Sequence, residues 1–384
     1  MSVNILMGAD IVPTPSNEEL FTKGDAFALL GDKLNGILKE ADFIALNLEV
    51  PLTNKETPIV KCGPCLRAAE DSIKGLHEIN PHFYTLANNH IMDQGPAGLE
   101  NTITLLKKHN IAFAGVGNTV EEAARPYVTE IKGVKIGIYC CAEHEFSIVT
   151  AKCPGANPYD PLESFDAVRS LSDECDIVIV LYHGGKEMYQ YPSPMLQKVF
   201  RKFADVGANV VIAQHTHCIG CMEEYNGSTL VYGQGNFLFD RRNRGEMWET
   251  SLVIQLTVDE ETRKVRCCYL PLQKKGDATS LAEGEDAEQI LRGFYQRSQE
   301  IQKPGFIEDR YIQLSNDMQI NYYRIMSGRT ATGKFGKILN RLTKGKFIRM
   351  LYPRDCSPML ENIMACEAHR ELLLCALEQD RIID

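Results

Sequence analysis

Apolar runs that end in metal-ligand residue types constrain the fold of this chain more than any other feature. The runs are typical of buried β-strands, and helical patterns lie between them, as at residues 25–40 before the run at 43–46. Alternating strands and helices predict an α/β protein whose sheets are covered by helices. The carboxyl ends of strands in such sheets meet along one edge, so the residues that follow the strands gather there.

The residues at these strand ends share the chemistry of metal ligands. They are two carboxylates, one amide and four imidazoles: Asp10, Glu49, Asn89, His90, His183, His215 and His217. This mixture suits a divalent ion such as Mn, Fe or Zn, and it differs from a thiolate-rich structural zinc site. Because the set exceeds what one ion needs, it favours two metals, which would clamp a phosphoryl or carbonyl oxygen during hydrolysis. Taken singly, each residue also has a structural explanation, such as a helix cap at Asp10.

The pair His215 and His217 follows the apolar run 210–213. Alternate residues of an extended segment point to the same side, so we expect both imidazoles to face one site. Cys218 and Cys221 follow with the spacing of a zinc site, and a zinc knuckle would compete for the same histidines. We interpret these cysteines as small buried apolar residues.

Composition and charge exclude several classes of protein. The formal net charge of −10 gives no indication of nucleic-acid binding. No apolar segment approaches the ~20 residues that span a bilayer, and the first residues do not resemble a signal peptide. We therefore expect a cytoplasmic protein without a transmembrane segment, in which the 13 cysteines are reduced.

The last hundred residues differ in character from the rest. Residues 277–285 are mostly small, polar and acidic, which predicts a linker between a domain at 1–276 and a mainly helical region at 286–384. No acidic residue occurs between 318 and 354, and the basic stretch 334–349 has partly helical apolar spacing. A weak contact with an anionic membrane surface is one interpretation. A solvated helix face is the other, and Gly345 interrupts the helical pattern.

Five motifs resemble, in order, those of the bacterial capsule-synthesis CapA family of the PgsA type. They are NLEVPLT, LANNHIMDQG, YHGGKE, QHTH and YGQGNFLFD, and the likeness runs from about residue 3 to residue 240. That family is named for poly-γ-glutamate capsule synthesis and is related to calcineurin-like metallophosphoesterases. The resemblance implies an α/β fold, a four-layer αββα sandwich of the metallophosphoesterase type, with a two-metal site on the sheet edge.

The resemblance also implies two groups of metal ligands. Those of the first ion would be Asp10, His217 and a bridging Glu49. Those of the second ion would be Asn89, His183 and His215. Val12 stands where metallophosphoesterases usually carry a further histidine, so the first ion lacks one ligand.

Other roles follow from the same resemblance. His90 would contact the scissile phosphate or protonate the leaving group, and Asp93 would orient it. Asn236 would line the pocket, while Asn88 would shape the turn.

Cys62 and Cys65 have the spacing of a redox motif, but the flanking Lys61 and Arg67 favour a loop at the edge of the pocket. Lys61 and Arg67 would recognise an anionic substrate there. Simple surface charges are the alternative.

Three hypotheses for function follow. The first is a metal-dependent hydrolase that acts on a phosphoester, or on an anionic polymer or cell-envelope precursor of poly-γ-glutamate or capsule metabolism. The second is a non-catalytic accessory protein that binds the polymer through the same sheet edge. The third is an interaction protein whose basic carboxy-terminal region docks to a membrane or an assembly partner.

Overall fold

The computed structural model describes residues 2–240, 245–328, 332–353 and 356–382. The chain divides into two compact units, Met1–Ile307 and Glu308–Asp384. The strands of the described residues all lie in the first unit: β1 (Ser2–Val12), β2 (Phe43–Leu48), β3 (Phe83–Thr85), β4 (Ala112–Ala114), β5 (Val116–Gly117), β6 (Tyr127–Ile131), β7 (Val134–Ala142), β8 (Gly155–Ala156), β9 (Ile177–His183), β10 (Val210–Gln214), β11 (Met222–Tyr225), β12 (Ser228–Val231), β13 (Asn236–Phe239), β14 (Thr250–Asp259), β15 (Val265–Lys275) and β16 (Ala278–Leu281).

Helices cover the strands and make up the end of the chain. Those of the first unit are α1 (Glu18–Lys23), α2 (Ala26–Glu40), α3 (Ile73–Glu78), α4 (Gly95–Lys108), α5 (Val120–Ala123), α6 (Ser164–Glu174), α7 (Pro194–Asp205) and α8 (Gly284–Glu300), with 3₁₀ turns at Glu70–Ser72 and Glu246–Trp248. The remaining helices are α9 (Phe306–Met326), α10 (Lys334–Leu342), α11 (Lys346–Leu351), α12 (Ser357–Ala365) and α13 (Glu367–Ile382).

Two sheets form the centre of the first unit. The larger has the order β16-β15-β14-β1-β2-β3-β4, and β13 pairs with the end of β1. The smaller has the order β11-β12-β10-β9-β7-β6, and β5 pairs separately with β8. Strands β1 to β4 run parallel to one another, as do β7, β9, β10 and β12. Their carboxyl ends therefore lie at common edges, where the candidate site is expected.

Alternation along the central strands explains how the layers stack. In β1, Ile5 and Met7 enter the apolar cluster between the two sheets, whereas Leu6 enters the cluster beneath α2, α3 and α4. In β9, Ile179 faces the space between the sheets and Val180 packs towards α6 and α7. A strand that is buried on both faces reads as a continuous apolar run. The predicted four-layer αββα sandwich is confirmed.

The segment after residue 276 takes part in the sheet core. β16 pairs with β15 within the expected linker at 277–285, and Phe294 of α8 is fully buried in the cluster between the sheets. The division into domains 1–276 and 286–384 stays a prediction, because packing of a helix against a sheet does not by itself define a domain.

The end of the chain is helical, as predicted. Helices α9 to α13 cover most of the described residues of the second unit, and short turns separate them. Within the described ranges, none of the helices has both the length and the apolar character needed to cross a bilayer.

Replacing Phe294 by alanine tests whether α8 belongs to the folded core. We expect Phe294→Ala to lower the free energy of unfolding by about 3–5 kcal/mol, because the ring is fully buried and its loss leaves a cavity. Arg292→Ala on the exposed face of the same helix should change that free energy by less than about 0.5 kcal/mol. Urea unfolding followed by circular dichroism measures both. Equal, small effects would show that α8 folds apart from the sheets.

Candidate metal centre

The candidate site lies where strands of both sheets end. In the larger sheet, Asp10 of β1 pairs with Asn47 of β2 on one side and with Asn236 of β13 on the other. In the smaller sheet, β9 ends at His183 and runs parallel to β10, which His215 follows directly. The parallel direction brings these strand ends to one edge, so residues far apart in sequence become neighbours.

Three ligand-type side chains meet around one nitrogen of a fourth, His183. Its Nε2 atom lies 3.0 Å from Asn89 Oδ1, 3.1 Å from His215 Nδ1 and 3.3 Å from Glu49 Oε1. Ligands that bind one ion at about 2.0–2.2 Å stand about 3.0–3.6 Å apart, so these spacings fit a single ion. We term these buried residues (Glu49, Asn89, His183 and His215) the His183 group. The resemblance implies the same grouping for the second metal.

The remaining implied ligands lie on the other side of Glu49. His217 Nδ1 is 3.3 Å from Asp10 Oδ2, and ligand atoms of Glu49, His215 and His217 all lie within 4.8 Å of one another. Across the described ranges, these three residues form the one cluster of His, Cys, Asp or Glu with that geometry. We term Asp10 and His217, with the shared Glu49, the Asp10 group. All six predicted ligands are thus neighbours, and their binding of metal stays a prediction.

Glu49 carries the strongest indication of a cation site. Both carboxylate oxygens are buried, and neither has a hydrogen-bond partner among the described residues. An ionised carboxylate buried in this way costs several kcal/mol unless a proton or a cation neutralises it. Burial, and then the charge of Asp10, raises the pKa of Glu49 to about 8. Without metal, the carboxyl group therefore holds a proton at neutral pH, in a place where a divalent ion would fit.

The histidines of the site differ in their pKa values. Burial lowers the pKa of His183 to about 4, and burial with the nearby charges of His183 and His217 lowers the pKa of His215 well below its ordinary value. Burial acts in the same direction on His217, but the charges of Glu49 and Asp10 outweigh it and raise its pKa to about 9. Two imidazoles are therefore neutral and ready to bind a metal, whereas His217 must first lose a proton.

The backbone at His215 and His217 differs from the extended segment that the sequence predicts. Strand β10 ends at Gln214, and both histidines have positive φ angles, 85° at His215 and 54° at His217. Non-glycine residues are uncommon in this region, and the strain that it imposes often accompanies functional sites. The expectation that alternation along a strand aligns these imidazoles was wrong, because two left-handed residues bring them to the site instead.

Two residues that the sequence analysis missed hold ligands in position. Asn47 Nδ2 donates to Asp10 Oδ1 at 2.7 Å and lies 3.2 Å from His183 Nδ1, so it joins the two sheets. Asn89 Nδ2 donates to Glu145 Oε2 at 2.7 Å, which turns the amide oxygen of Asn89 towards His183. Asn47 stands two residues before Glu49 at a strand end, a signal that could have found it. Glu145 lies in a loop with no periodic signal.

The three residues Asn88, Asn89 and His90 have different roles: the first shapes a turn, the second is a ligand candidate, and the third lies at the edge of the site. Asn88 Oδ1 accepts hydrogen bonds from the backbone N–H groups of His90 at 3.1 Å and Ile91 at 2.9 Å, which confirms its turn role. Asn89 points into the His183 group. His90 is 12% exposed at its side chain, so it can reach a molecule that enters the site.

The contact expected between Asp93 and His90 is present. Asp93 Oδ2 lies 2.6 Å from His90 Nδ1 and accepts from the Leu66 backbone N–H at 2.5 Å, while Asp93 Oδ1 accepts from Lys61 Nζ at 2.5 Å. The side chains of Asp93 and Lys61 are 0% and 2% exposed. This buried pair fixes the orientation of the His90 ring, and the catalytic role of His90 stays a prediction.

Lys61 and Arg67 differ in their surroundings. Lys61 directs its charge to Asp93 inside the loop, whereas Arg67 is exposed and donates to the Thr53 carbonyl at 3.4 Å. Contact of either residue with a substrate stays a prediction. Nearby, burial and then the charge of Asp93 raise the pKa of the Cys65 thiol, which argues against an activated redox thiolate.

The surroundings of Val12 and His217 limit the number of ligands that the Asp10 group can offer. Val12 is buried in the apolar cluster of the larger sheet, so it contributes no ligand. His217 is enclosed by other partners: Asn236 Oδ1 lies 2.8 Å from its Nδ1, and the Trp248 ring centroid lies 4.6 Å from its own. Asn236 thus contacts a ligand candidate, and its place in the pocket stays a prediction.

Cys218 and Cys221 are fully buried. Burial raises the pKa of the Cys218 thiol to about 12 and that of the Cys221 thiol far above its ordinary value. Both cysteines behave as apolar residues, as we interpreted them from the sequence.

Comparison with known proteins identifies relatives of this chain. The family model described as "Bacterial capsule synthesis protein PGA_cap" matches residues 5–241, more than half of the chain. The PGA biosynthesis protein CapA of Bacillus subtilis is 29% identical over 209 residues, which is 53% of this chain and 55% of that protein. A probable polyglutamine synthesis accessory protein of Mycobacterium tuberculosis is 25% identical over 306 residues, 67% of this chain and 80% of that protein.

The capsule biosynthesis protein CapA of Bacillus anthracis is 26% identical over 53% of this chain and 52% of its own length. The chain thus spans about half the length of the two Bacillus relatives it matches. Among solved structures, a hypothetical protein of Thermus thermophilus aligns with a TM-score of 0.44 and 14% identity, over 71% of this chain and 100% of that one. A 5'-nucleotidase precursor of the same organism aligns with a TM-score of 0.40 and 14% identity, over 77% and 59%.

Metal binding should change the fluorescence of Trp248, the single tryptophan of the chain. Because its ring lies against His217, we expect Mn²⁺ to quench the emission with a saturable dependence on concentration. His217→Ala should abolish the quenching, whereas His369→Ala, an exposed histidine in the second unit, should leave it unchanged. Quenching that persists in His217→Ala would place the ion elsewhere.

The affinity for metal should rise with pH. The pKa values of Glu49 and His217, raised to about 8 and about 9, mean that both are protonated at pH 7 without metal. Ligands bind a metal only when deprotonated, so binding releases protons, and affinity increases from pH 7 and levels off above about pH 9. Calorimetry in buffers of different ionisation enthalpy counts the protons released. Glu49→Gln, which lacks the shared carboxylate, should show neither metal binding nor proton release, and an affinity of the unmodified protein that is independent of pH would contradict this assignment.

Proposed function

Because the chain belongs to the bacterial capsule synthesis protein family PGA_cap, we propose that it is a metal-dependent hydrolase. Its substrate would be a phosphoester, or an anionic polymer or cell-envelope precursor of poly-γ-glutamate or capsule metabolism. One observation carries the proposal: the buried Glu49 carboxylate, without hydrogen-bond partners among the described residues, stands beside three histidines and Asp10. A purely structural carboxylate in such a place would be paired.

The donor atoms fit a divalent cation by their chemistry as well as their spacing. Carboxylate, amide and imidazole groups suit Mn, Fe or Zn, and the His183 group supplies four of them within one cluster. The Asp10 group would hold a second ion through Asp10, His217 and the shared Glu49. Such ions, when bound, would polarise a phosphoryl or carbonyl oxygen and lower the pKa of water to generate the nucleophile.

His90 supplies the acid in this proposal. Asp93 engages its Nδ1 atom at 2.6 Å, which leaves Nε2 as the nitrogen that faces an incoming molecule and donates a proton to the leaving-group oxygen. The ring is next to the ligand candidate Asn89 and partly exposed, so it stands at the entrance of the centre. Lys61 and the Leu66 N–H keep Asp93 in place as an acceptor.

A non-catalytic role in polymer binding is the second candidate, and Val12 favours it. The absence of a histidine side chain at this buried position leaves the Asp10 group with fewer ligands than the His183 group. A centre with one ion would still hold an anionic polymer but would lack the second clamp for hydrolysis. The name of the mycobacterial relative, an accessory protein of polyglutamine synthesis, is compatible with this role.

Two substitutions separate the candidates. With a dialkyl phosphodiester such as glycerophosphocholine, whose alkoxide leaving group needs a proton, and Mn²⁺, we expect His90→Ala to lower kcat by about 10²–10⁴, while the bound metal stays unchanged. Glu49→Gln should lose both metal and turnover, since it removes the shared carboxylate. His369→Ala is the matched control and should retain activity.

Turnover by His90→Ala equal to that of the unmodified protein would contradict the role of His90. Unmodified protein that retains metal, binds poly-γ-glutamate and hydrolyses neither phosphodiesters nor the polymer would overturn the hydrolase and favour the accessory role. Elemental analysis of each variant distinguishes a lost ion from a lost acid.

A further inference from the structure

Helix α10 in the second unit differs from an ordinary surface helix because it exposes apolar side chains. Three of its large apolar side chains point outwards, since Phe335 is 77%, Ile338 59% and Leu342 75% exposed, while Leu339 is half-buried. The residue that it buries is Gly336. A helix at a protein surface normally buries its apolar stripe and exposes its polar face. The folding of the chain itself therefore does not use the apolar face of α10.

The exposed face of α10 has a regular arrangement. Residues on a helix are about 100° apart, so Phe335, Ile338 and Leu342 fall within one narrow arc. Lys334, Lys337 and Arg341, all exposed, fall on the arc that flanks the apolar side chains. A helix with an apolar stripe bordered by cations has the layout of one that lies in a membrane interface.

Helix α11 continues the same character. Gly345 precedes it with a φ of 85°, a left-handed angle that glycine tolerates, so the interruption predicted from the sequence is a turn between two helices. α11 buries Ile348 and exposes Met350 at 71%. Lys346 and Arg349 are exposed on it as well, and no acidic residue occurs in 334–349.

We propose that α10 and α11 bind the surface of an anionic lipid bilayer, with Phe335, Ile338 and Leu342 inserted among the lipids. Charge complementarity supports this partner, because the exposed cations of 334–349 face no acidic neighbour in that segment while the chain as a whole has a net charge of −10. Anionic headgroups attract the cations, and insertion removes the three apolar side chains from water.

The apolar side chains favour a lipid surface over an anionic polymer. A polyanion such as poly-γ-glutamate would pair with Lys334, Lys337 and Arg341 but would leave Phe335 and Leu342 in water. Only a partner with both anionic groups and an apolar interior satisfies the two faces of α10 together. The inference stands apart from the proposed hydrolysis, because none of these residues belongs to the metal centre.

Flotation of the full chain with lipid vesicles tests this proposal. We expect binding to vesicles of equal parts phosphatidylglycerol and phosphatidylcholine, and none to phosphatidylcholine alone. Replacing Phe335, Ile338 and Leu342 by serine, or Lys334, Lys337 and Arg341 by glutamine, should each reduce binding about tenfold or more. These side chains are exposed, so far-UV circular dichroism and the melting temperature should stay unchanged.

A charge-matched control replaces the exposed Lys39, Lys55 and Lys108 of the first unit by glutamine and should bind as the unmodified chain does. Equal binding of that control and the Lys334, Lys337 and Arg341 variant would overturn the proposal. So would a serine variant that binds anionic vesicles as well as the unmodified chain and is displaced by poly-γ-glutamate, which would identify a polyanion site. Absence of binding to either kind of vesicle would also overturn it.

Discussion

The burial of Glu49 is the constraint on which the rest of the site depends. Its carboxylate is removed from water without a hydrogen-bond donor among the described residues, close to Asp10 and His183. Two buried carboxylates so near each other cannot both stay ionised without a compensating charge, so one holds a proton or both share a cation. In the proposed centre, the same arrangement would leave Glu49 available to both groups of ligands.

The two sheets surround the buried Glu49 with ligand candidates, because each sheet contributes different residues to one edge. The larger sheet supplies Asp10 and Glu49, and the smaller supplies His183 and His215. Asn47 bridges them through Asp10 and His183 Nδ1. The left-handed backbone at His215 costs of order 1–3 kcal/mol, and the hydrogen bond from its backbone N–H to Asp10 Oδ2 at 3.2 Å helps to offset that strain. The packing of the two sheets and the hydrogen bond to Asp10 therefore hold His215 in its strained backbone conformation.

The sequence predicts most of the architecture and the identity of the ligand candidates because both depend on local patterns. The apolar run at 177–181 and the residues after it can be read directly, and parallel strands bring such ends together. The left-handed angles at His215 and His217 could not be predicted, because non-glycine residues enter that region only under tertiary constraint. The burial of Lys61 against Asp93 was missed for a related reason: a lysine in a polar loop gives no sign of a distant partner.

The histidines of the two groups of ligands have pKa values that shift in opposite directions, so the two groups differ in how readily they offer a nitrogen lone pair. His183 and His215 are held neutral by burial, so the His183 group offers nitrogen lone pairs without losing protons. His217 forms an ion pair with Asp10 at 3.3 Å, and this pair already balances charge where the second ion would bind. Val12 adds no ligand there. In the proposed centre, an ion at the His183 group would displace no histidine proton, whereas an ion at the Asp10 group would require the proton of His217 to leave.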